Sequence, residues 1–164
     1  MHTIAKTYYD TPIGLLSITA SEKGISSLQF IDKPSFEIQP GHDRLLECIE
    51  QLDEYFEGRR TTFSIFLDIQ GTSFQQRVWN ALKEVPLGTT LSYLQLAKNI
   101  QSPDAVRAVG GACGKNKHWL LIPCHRVIGS NGQLTGYAGG LKRKRWLIQH
   151  EWGILHGKQA VLFT

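Results

Sequence analysis

The hydrophobic pattern of this 164-residue chain changes once, at Gly71-Thr72, and that change limits the folds open to it. Before that point apolar residues come in short alternating runs, the period of two that suits a half-buried strand; after it, helical spacing and glycines take over. Thr3 to Tyr9, Leu15 to Ala20 and Ile25 to Phe30 read as three strands. Asp10-Thr11-Pro12-Ile13-Gly14 and Ser21-Glu22-Lys23-Gly24 supply the turns between them. Leu45, Leu46, Ile49, Leu52, Tyr55 and Phe56 then recur at helical spacing, with Gly58 where the helix should stop. Thr61 to Ile69, β-branched and aromatic, predicts a further strand. Residues 1–70 therefore read as an amino-terminal α/β domain acting as scaffold, and residues 71–164 as a second domain.

In the second part, Ser73 and Gln76 have the form of a capping box opening a helix with Phe74, Val78, Ala81, Leu82 and Val85 on one face. Pro86-Leu87-Gly88 closes it. Ser92 and Gln95 repeat the signal for a short helix containing Leu96, Ala97 and Ile100, and Pro103 stands at a first helical position leading Ala105 to Cys113. Two short helices with a tight connection describe a helix-turn-helix, a form that cores without nucleic acid also use. The second helix contains Gly110-Gly111, and each glycine costs a helix about 1 kcal/mol relative to alanine. Close approach of another backbone would offset that cost. Arg107 rises from this smooth surface, suited either to a carboxylate or to nucleic acid.

Charge divides along the same line. Residues 1–70 carry six Lys/Arg against eleven Asp/Glu, a balance of −5, and residues 71–164 carry 12 against 3, a balance of +9. A polyanionic partner, nucleic acid, fits that asymmetry; a solvated basic face is the alternative. With 41% hydrophobic residues the chain is not disordered, and its longest apolar stretch, about Leu120 to Cys124, is far too short for a membrane span. The start lacks an apolar signal core, so a soluble protein retained in the cell is expected. Cys48, Cys113 and Cys124 cannot all pair within the chain, and reduced thiols are expected. There is no Cys-x-x-Cys and no zinc-finger histidine spacing, so no metal is assigned.

The run Leu120 to Ile128 places Cys124 at the end of an apolar, strand-like stretch beside His125 and Arg126. Adjacent cations or a base lower a thiol's pKa into the reactive range. The alternative is a small buried hydrophobe, the reading given to Cys48 and Cys113. After Asp104 the chain has a single acid, Glu151, which is either a solvated helix end or the carboxylate orienting His125; the scarcity of other acids favours the second. Gly110-Gly111-Ala112-Cys113-Gly114 lacks the Gly-Lys-Ser/Thr ending of a phosphate loop. Lys142-Arg143-Lys144-Arg145 falls in a helical stretch and reads as a solvated or DNA-facing surface.

Pro123-Cys124-His125-Arg126-Val127 resembles the active-site signature of the methylated-DNA-protein-cysteine methyltransferases, the 6-O-alkylguanine-DNA alkyltransferases. The resemblance extends through Ser92-Tyr93, Ala105-Val106-Arg107-Ala108-Val109-Gly110, Asn116, Gly136-Tyr137-Ala138-Gly139-Gly140 and Trp146-Leu147 to His150-Glu151, roughly residues 71 to 152. The amino-terminal part resembles the family only in pattern. The implied fold is α/β plus α: a ribonuclease-H-like antiparallel sheet with a helix, then a helix-turn-helix, winged-helix-like alkyltransferase domain.

The resemblance implies direct-reversal DNA repair. The thiolate of Cys124 would take the alkyl group of 6-O-alkylguanine, and of 4-O-alkylthymine, irreversibly and once, without a cofactor. His125, through a water and oriented by Glu151, would accept the thiol proton, and Asn116 would organise the site. Tyr93 would help flip the nucleotide and offer its hydroxyl to the departing base, while Arg107 would enter the stack; flipping is required because a thiol cannot reach a stacked base. Ala105, Ala108 and Gly110 would line a helix docked in the minor groove, and Tyr137, Ala138, Gly139 and Trp119 the substrate pocket. Some members have small residues or proline where this chain has Lys117-His118-Trp119, and zinc-binding members use amino-terminal cysteines that this chain lacks before Cys48. The implied partner is double-stranded DNA, bound with little sequence specificity by a monomer able to cluster cooperatively, in the cytoplasm or in a eukaryotic nucleus, with no membrane. The rivals are an alkyltransferase-like lesion-binding protein, which lacks the cysteine, and a thiol hydrolase, which would turn over.

Overall fold

A computed structural model of the chain describes residues 3–34 and 41–157, and the structural statements below concern these. The chain forms two compact units: Met1–Gln70 with Lys117–Leu121, and Gly71–Asn116 with Ile122–Thr164.

In the first unit, β1 (Ala5–Thr11), β2 (Gly14–Ser21) and β3 (Gly24–Ile31) form an antiparallel sheet in sequence order. Their alternation buries Leu16, Ile18, Ala20, Ile25 and Leu28 completely, and α1 (Asp43–Phe56) adds Leu45, Cys48, Leu52 and Tyr55 to the same core. The β2–β3 turn depends on Gly24, whose φ is +154° and whose Cβ would lie 2.4 Å from the Phe66 carbonyl oxygen.

The strand expected over Thr61 to Ile69 does not form. Only Leu67 bridges β3, through bonds of 2.8 Å from Ile25 N to Phe66 O and from Asp68 N to Ile25 O. Three residues on, the same edge of β3 is occupied by another segment: Leu28 N donates to Lys117 O at 2.8 Å and Trp119 N to Leu28 O at 2.9 Å. An edge shared between two segments leaves neither enough pairing for a strand. This pairing also draws Lys117–Leu121 into the first unit, where the sequence reading had kept residues 71–164 together.

The second unit is mainly helical: α2 (Ser73–Lys83), β4 (Leu91–Ser92), α3 (Tyr93–Asn99), α4 (Val106–Gly114), a 3-10 turn at Cys124–Arg126, β5 (Val127–Ile128) and α5 (Leu141–His156). β4 and β5 pair in parallel, placing the start of α3 beside the segment that follows Cys124. The capping box of α2 lies one residue earlier than expected. Thr72 Oγ1 accepts from Gln75 N at 3.1 Å while Gln75 Oε1 accepts from Thr72 N at 3.0 Å, and the Gln76 amide donates instead to Gly71 O. Ser92 and Gln95 cap α3 reciprocally, at 3.0 and 2.8 Å.

Pro103 is not helical, because Gln101 takes a φ of +60° and Ala105 N closes a turn onto Ser102 O before α4 begins at Val106. Leu120 to Cys124 is likewise no strand. Leu120 has a φ of +72°, and Ile122 O is taken by Cys124 N at 2.8 Å and Asn116 Nδ2 at 2.9 Å, leaving it no ladder role. Trp79 Nε1 donates to Ala112 O at 2.9 Å, tying α2 to the last turns of α4. No helix among the described residues is long and apolar enough to cross a membrane.

Candidate active site

The site is built within the second unit. Cys124 opens the 3-10 turn after Pro123, and Asn116 follows α4, whose end it extends by donating its backbone N–H to Cys113 O at 3.3 Å. Its side-chain Nδ2 donates to Ile122 O at 2.9 Å and to Cys124 Sγ at 3.2 Å, so one amide fixes both the turn and the sulfur. The sequence separation of Asn116 and Cys124 is short, and the segment between them passes through the left-handed Leu120.

His125 and Glu151 are buried, at 0% and 1% exposure, with His125 Nε2 and Glu151 Oε2 2.7 Å apart. Arg126 completes the group: its Nε donates to Glu151 Oε1 at 2.8 Å, its Nη2 to Oε2 at 3.1 Å and its Nη1 to Val85 O at 2.6 Å. The sequence reading noted Arg126 beside the thiol but gave it no part in the carboxylate. Burial by itself would raise the Glu151 pKa, but His125 and Arg126 outweigh it and hold the carboxyl well below its usual range. Burial lowers the pKa of His125, opposed by Glu151, so the imidazole is neutral at neutral pH. With Nε2–H donated to Glu151, Nδ1 carries the lone pair, and it is buried with no hydrogen-bond partner. That lone pair can accept a proton.

The resting thiol differs from the expectation of a thiol activated by its neighbours. Burial pushes Cys124 up to about 11, against the hydrogen bond from Asn116 and the charge of Lys144. Desolvation disfavours the anion more than these groups favour it, so Cys124 rests as a neutral thiol.

A pocket of about 340 Å³ opens beside this sulfur, lined by Tyr93, Gly110, Cys113, Gly114, Cys124, Gly136, Tyr137 and Ala138. Tyr93 and Tyr137 are its aromatic lining residues, and Tyr93 Oη donates weakly to Thr135 O and Gly136 O at 3.3 and 3.4 Å. The same two carbonyls accept from Lys144 Nζ at 2.6 and 3.3 Å. Lys144 is fully buried, correcting its placement in a solvated basic run, and desolvation lowers its pKa to about 8. The sequence signal was indirect: a lysine at helical spacing from Leu147 and Ile148, which are buried on the same face of α5.

Two residues assigned to the pocket lie elsewhere. Gly139 is buried, gives its carbonyl to Arg143 Nη1 at 3.2 Å and is not among the lining residues. Trp119 belongs to the first unit, its ring 6.1 Å from that of Phe30. On α4, Ala108 and Arg107 are exposed, Ala105 is the N-cap, and Arg107 makes no ion pair among the described residues. Close packing among the described residues does not account for Gly110-Gly111: a Cβ on Gly111 would meet nothing within 4 Å, and one on Gly110 only the Tyr93 ring at 3.9 Å.

The chain is similar to known proteins over most of its length. The family model for the 6-O-methylguanine DNA methyltransferase DNA binding domain matches residues 73–153, and that for its ribonuclease-like domain matches residues 4–69. The methylated-DNA-protein-cysteine methyltransferase of Mycobacterium leprae is 44% identical over 147 residues, 87% of this chain and 88% of that protein. The chain belongs to the methylated-DNA-protein-cysteine methyltransferase family. A family member from Methanosarcina acetivorans is 42% identical over 87% of this chain and 95% of its own length. The crystal structure of Mycobacterium tuberculosis OGT in complex with DNA superposes with a TM-score of 0.82 at 42% identity, covering 90% of this chain and 92% of that one.

Proposed function

We propose that this chain repairs DNA by moving the alkyl group of 6-O-alkylguanine, and of 4-O-alkylthymine, onto Cys124 in a single irreversible turnover. The observation that carries the reading is Cys124 at the wall of one pocket, bonded by Asn116 and followed by His125, which is itself bonded to Glu151, in a chain of this family. The carbon–sulfur bond of the thioether forms as the carbon–oxygen bond to guanine breaks. The thiol proton passes by way of a water to Nδ1 of His125, whose Nε2–H remains on Glu151. Transfer of that proton solves the problem set by burial: the thiolate, costly at rest, forms only with a base and an electrophile in place. Tyr93 Oη, whose present bonds to Thr135 and Gly136 are long and easily exchanged, gives its proton to the departing base and regains one from water, while His125 returns the thiol proton to water.

DNA is the partner, and α4 is the element that meets it. A helix face of Ala105, Ala108 and glycines, of which Gly111 would carry a Cβ clear of every described residue by 4 Å, suits the narrow minor groove, where sequence information is poor. Arg107, exposed and without an ion pair among the described residues, fits the gap left by the flipped nucleotide. Phosphate contacts from the basic second half supply affinity, which therefore falls with salt. The protein acts as a monomer, able to cluster on DNA, in the cytoplasm or a eukaryotic nucleus.

Mass spectrometry after mixing with a duplex containing 6-O-methylguanine tests the reaction. One added methyl on Cys124, with repaired guanine reaching a plateau near one per protein, is the expected result; turnover at substrate excess removes the reading.

A further inference from the structure

The stretch Lys117-His118-Trp119, where some family members have small residues or proline, lies outside both the pocket lining and the His125–Glu151 pair. It nevertheless joins two of the groups that fix the sulfur. The chain leaves the second unit after Asn116, spends Lys117–Leu121 in the first and returns at Ile122. Asn116 Nδ2 bonds to Ile122 O at 2.9 Å and to Cys124 Sγ at 3.2 Å, so the residues between form a loop closed by the same amide that holds the thiol. Within it Leu120 takes a φ of +72°, a costly conformation for a residue with a side chain, which persists only where the surroundings hold it.

The edge of β3 restrains this loop. Leu28 N donates to Lys117 O and Trp119 N to Leu28 O, and between them the buried His118 gives its Nε2–H to Ile25 O at 2.8 Å. His118 thus adds a side-chain bond to the two backbone bonds. Ile25 O also accepts from Asp68 N at 2.8 Å, which uses both its lone pairs, so loss of the imidazole would leave no buried acceptor stranded.

We propose that His118 is a positioning residue for the thiol: by fastening the loop to β3 it keeps the Asn116 amide on Cys124 Sγ. That hydrogen bond favours the thiolate against the burial that opposes it, so a loosened loop slows the reactions of the sulfur. The bearing of His118 on repair rests on Cys124 as the alkyl acceptor; its bearing on the thiol does not.

The test follows alkylation of the full chain by iodoacetamide at neutral pH, with peptide mapping, in wild type, His118→Leu, His118→Gln and Leu52→Ala, a truncation in the core of the first unit. In His118→Leu, Cys124 should react at least about tenfold more slowly, the scale of one hydrogen bond to a charged atom. Buried Cys48 should react as in wild type. His118→Gln, whose amide can donate to Ile25 O, should recover most of the rate. Asn116→Ala should be as slow as His118→Leu, and the double variant no slower, because both changes remove one bond. Single-turnover methyl transfer from a duplex containing 6-O-methylguanine should fall in parallel.

Leu52→Ala should not slow Cys124, since loosened packing exposes thiols. Should His118→Leu not fold, His118→Asn, whose amide is one methylene short, takes its place under the same expectations. A Cys124 rate unchanged in the folded variant overturns the inference, as does one that rises together with Cys48, an equal slowing in Leu52→Ala, or additive losses with Asn116→Ala. A wild type alkylated at Cys124 by iodoacetamide that takes no methyl from DNA overturns instead the assignment of the acceptor.

Discussion

Arg126 holds Glu151 by both oxygens, Nε to Oε1 at 2.8 Å and Nη2 to Oε2 at 3.1 Å, in an interior where Glu151 is 1% exposed. The acid that orients His125 is thus also half of a buried ion pair. Because the guanidinium is always charged, Glu151 stays a carboxylate while His125 stays neutral, and the imidazole keeps its capacity for a proton.

Arg126→Met should therefore be severe for stability as well as for repair. Removing one partner of a buried pair typically costs about 3 to 5 kcal/mol, because the other charge is left uncompensated. Urea unfolding should show that loss, and Arg126→Met combined with Glu151→Gln should recover part of it. A single variant within about 1 kcal/mol of wild type would mean the pair is solvated.

Glu151→Gln tests the relay on protein shown by urea unfolding to remain folded, because it also leaves Arg126 without its buried counter-ion. With Cys124 at about 11 and no oriented base, thiolate must form by direct ionisation, so reactivity should climb about tenfold per pH unit from 7 to 10. Wild type should show a much flatter profile. Alkylation by iodoacetamide followed by peptide mapping separates Cys124 from Cys48 and Cys113, both pushed up to about 12 by burial. Matching profiles in the two proteins would take Glu151 out of the relay.

Arg107→Ala should change stability by less than about 0.5 kcal/mol, the usual range for an exposed side chain. Repair of duplex DNA should nevertheless slow far more than reaction with a free alkylated base. If both substrates lose equally, Arg107 supports the fold and does not enter the stack.

Acid should destabilise the protein in two stages. The folded-state pKa values of His125 and Glu151 are both depressed, His125 by burial and Glu151 by its partners against burial. In each case the unfolded chain binds the proton first, so the stability they confer is present at neutral pH and lost on acidification. The loss should begin near pH 6.5, the unfolded imidazole value, and steepen below about 4.3, the unfolded carboxyl value. Melting temperature measured from pH 8 to about 2.5 checks both stages, and a flat profile between about 7 and 5 would contradict a buried neutral His125.

What the sequence determined on its own is what depends on near neighbours. The alternation in Leu15 to Ala20 and Ile25 to Phe30 marked β2 and β3 to within a residue, since the period of side chains follows directly from the backbone of a strand. The reciprocal spacing of Ser92 and Gln95 marked the start of α3 for the same reason. Cys124, His125 and Arg126 are contiguous, so their chemistry could be seen together, and Glu151 could be singled out because so few acids compete with it.

The tertiary structure decided what depends on distant partners. Thr61 to Ile69 has the composition of a strand, yet an extended run pairs only if an edge is free, and β3 divides its edge between Phe66–Asp68 and Lys117–Trp119. Trp119 looked like a pocket wall because it lies close to Cys124 in sequence, but its backbone is bonded to Leu28. Lys144 stands among Lys142, Arg143 and Arg145 as one more surface charge, and only the fold shows its ammonium bonded to Thr135 and Gly136. The thiol of Cys124 went the other way from its local expectation for the same cause. Charges beside it in sequence act through whatever medium lies between them, and that medium is fixed only when remote elements close over the site and exclude water.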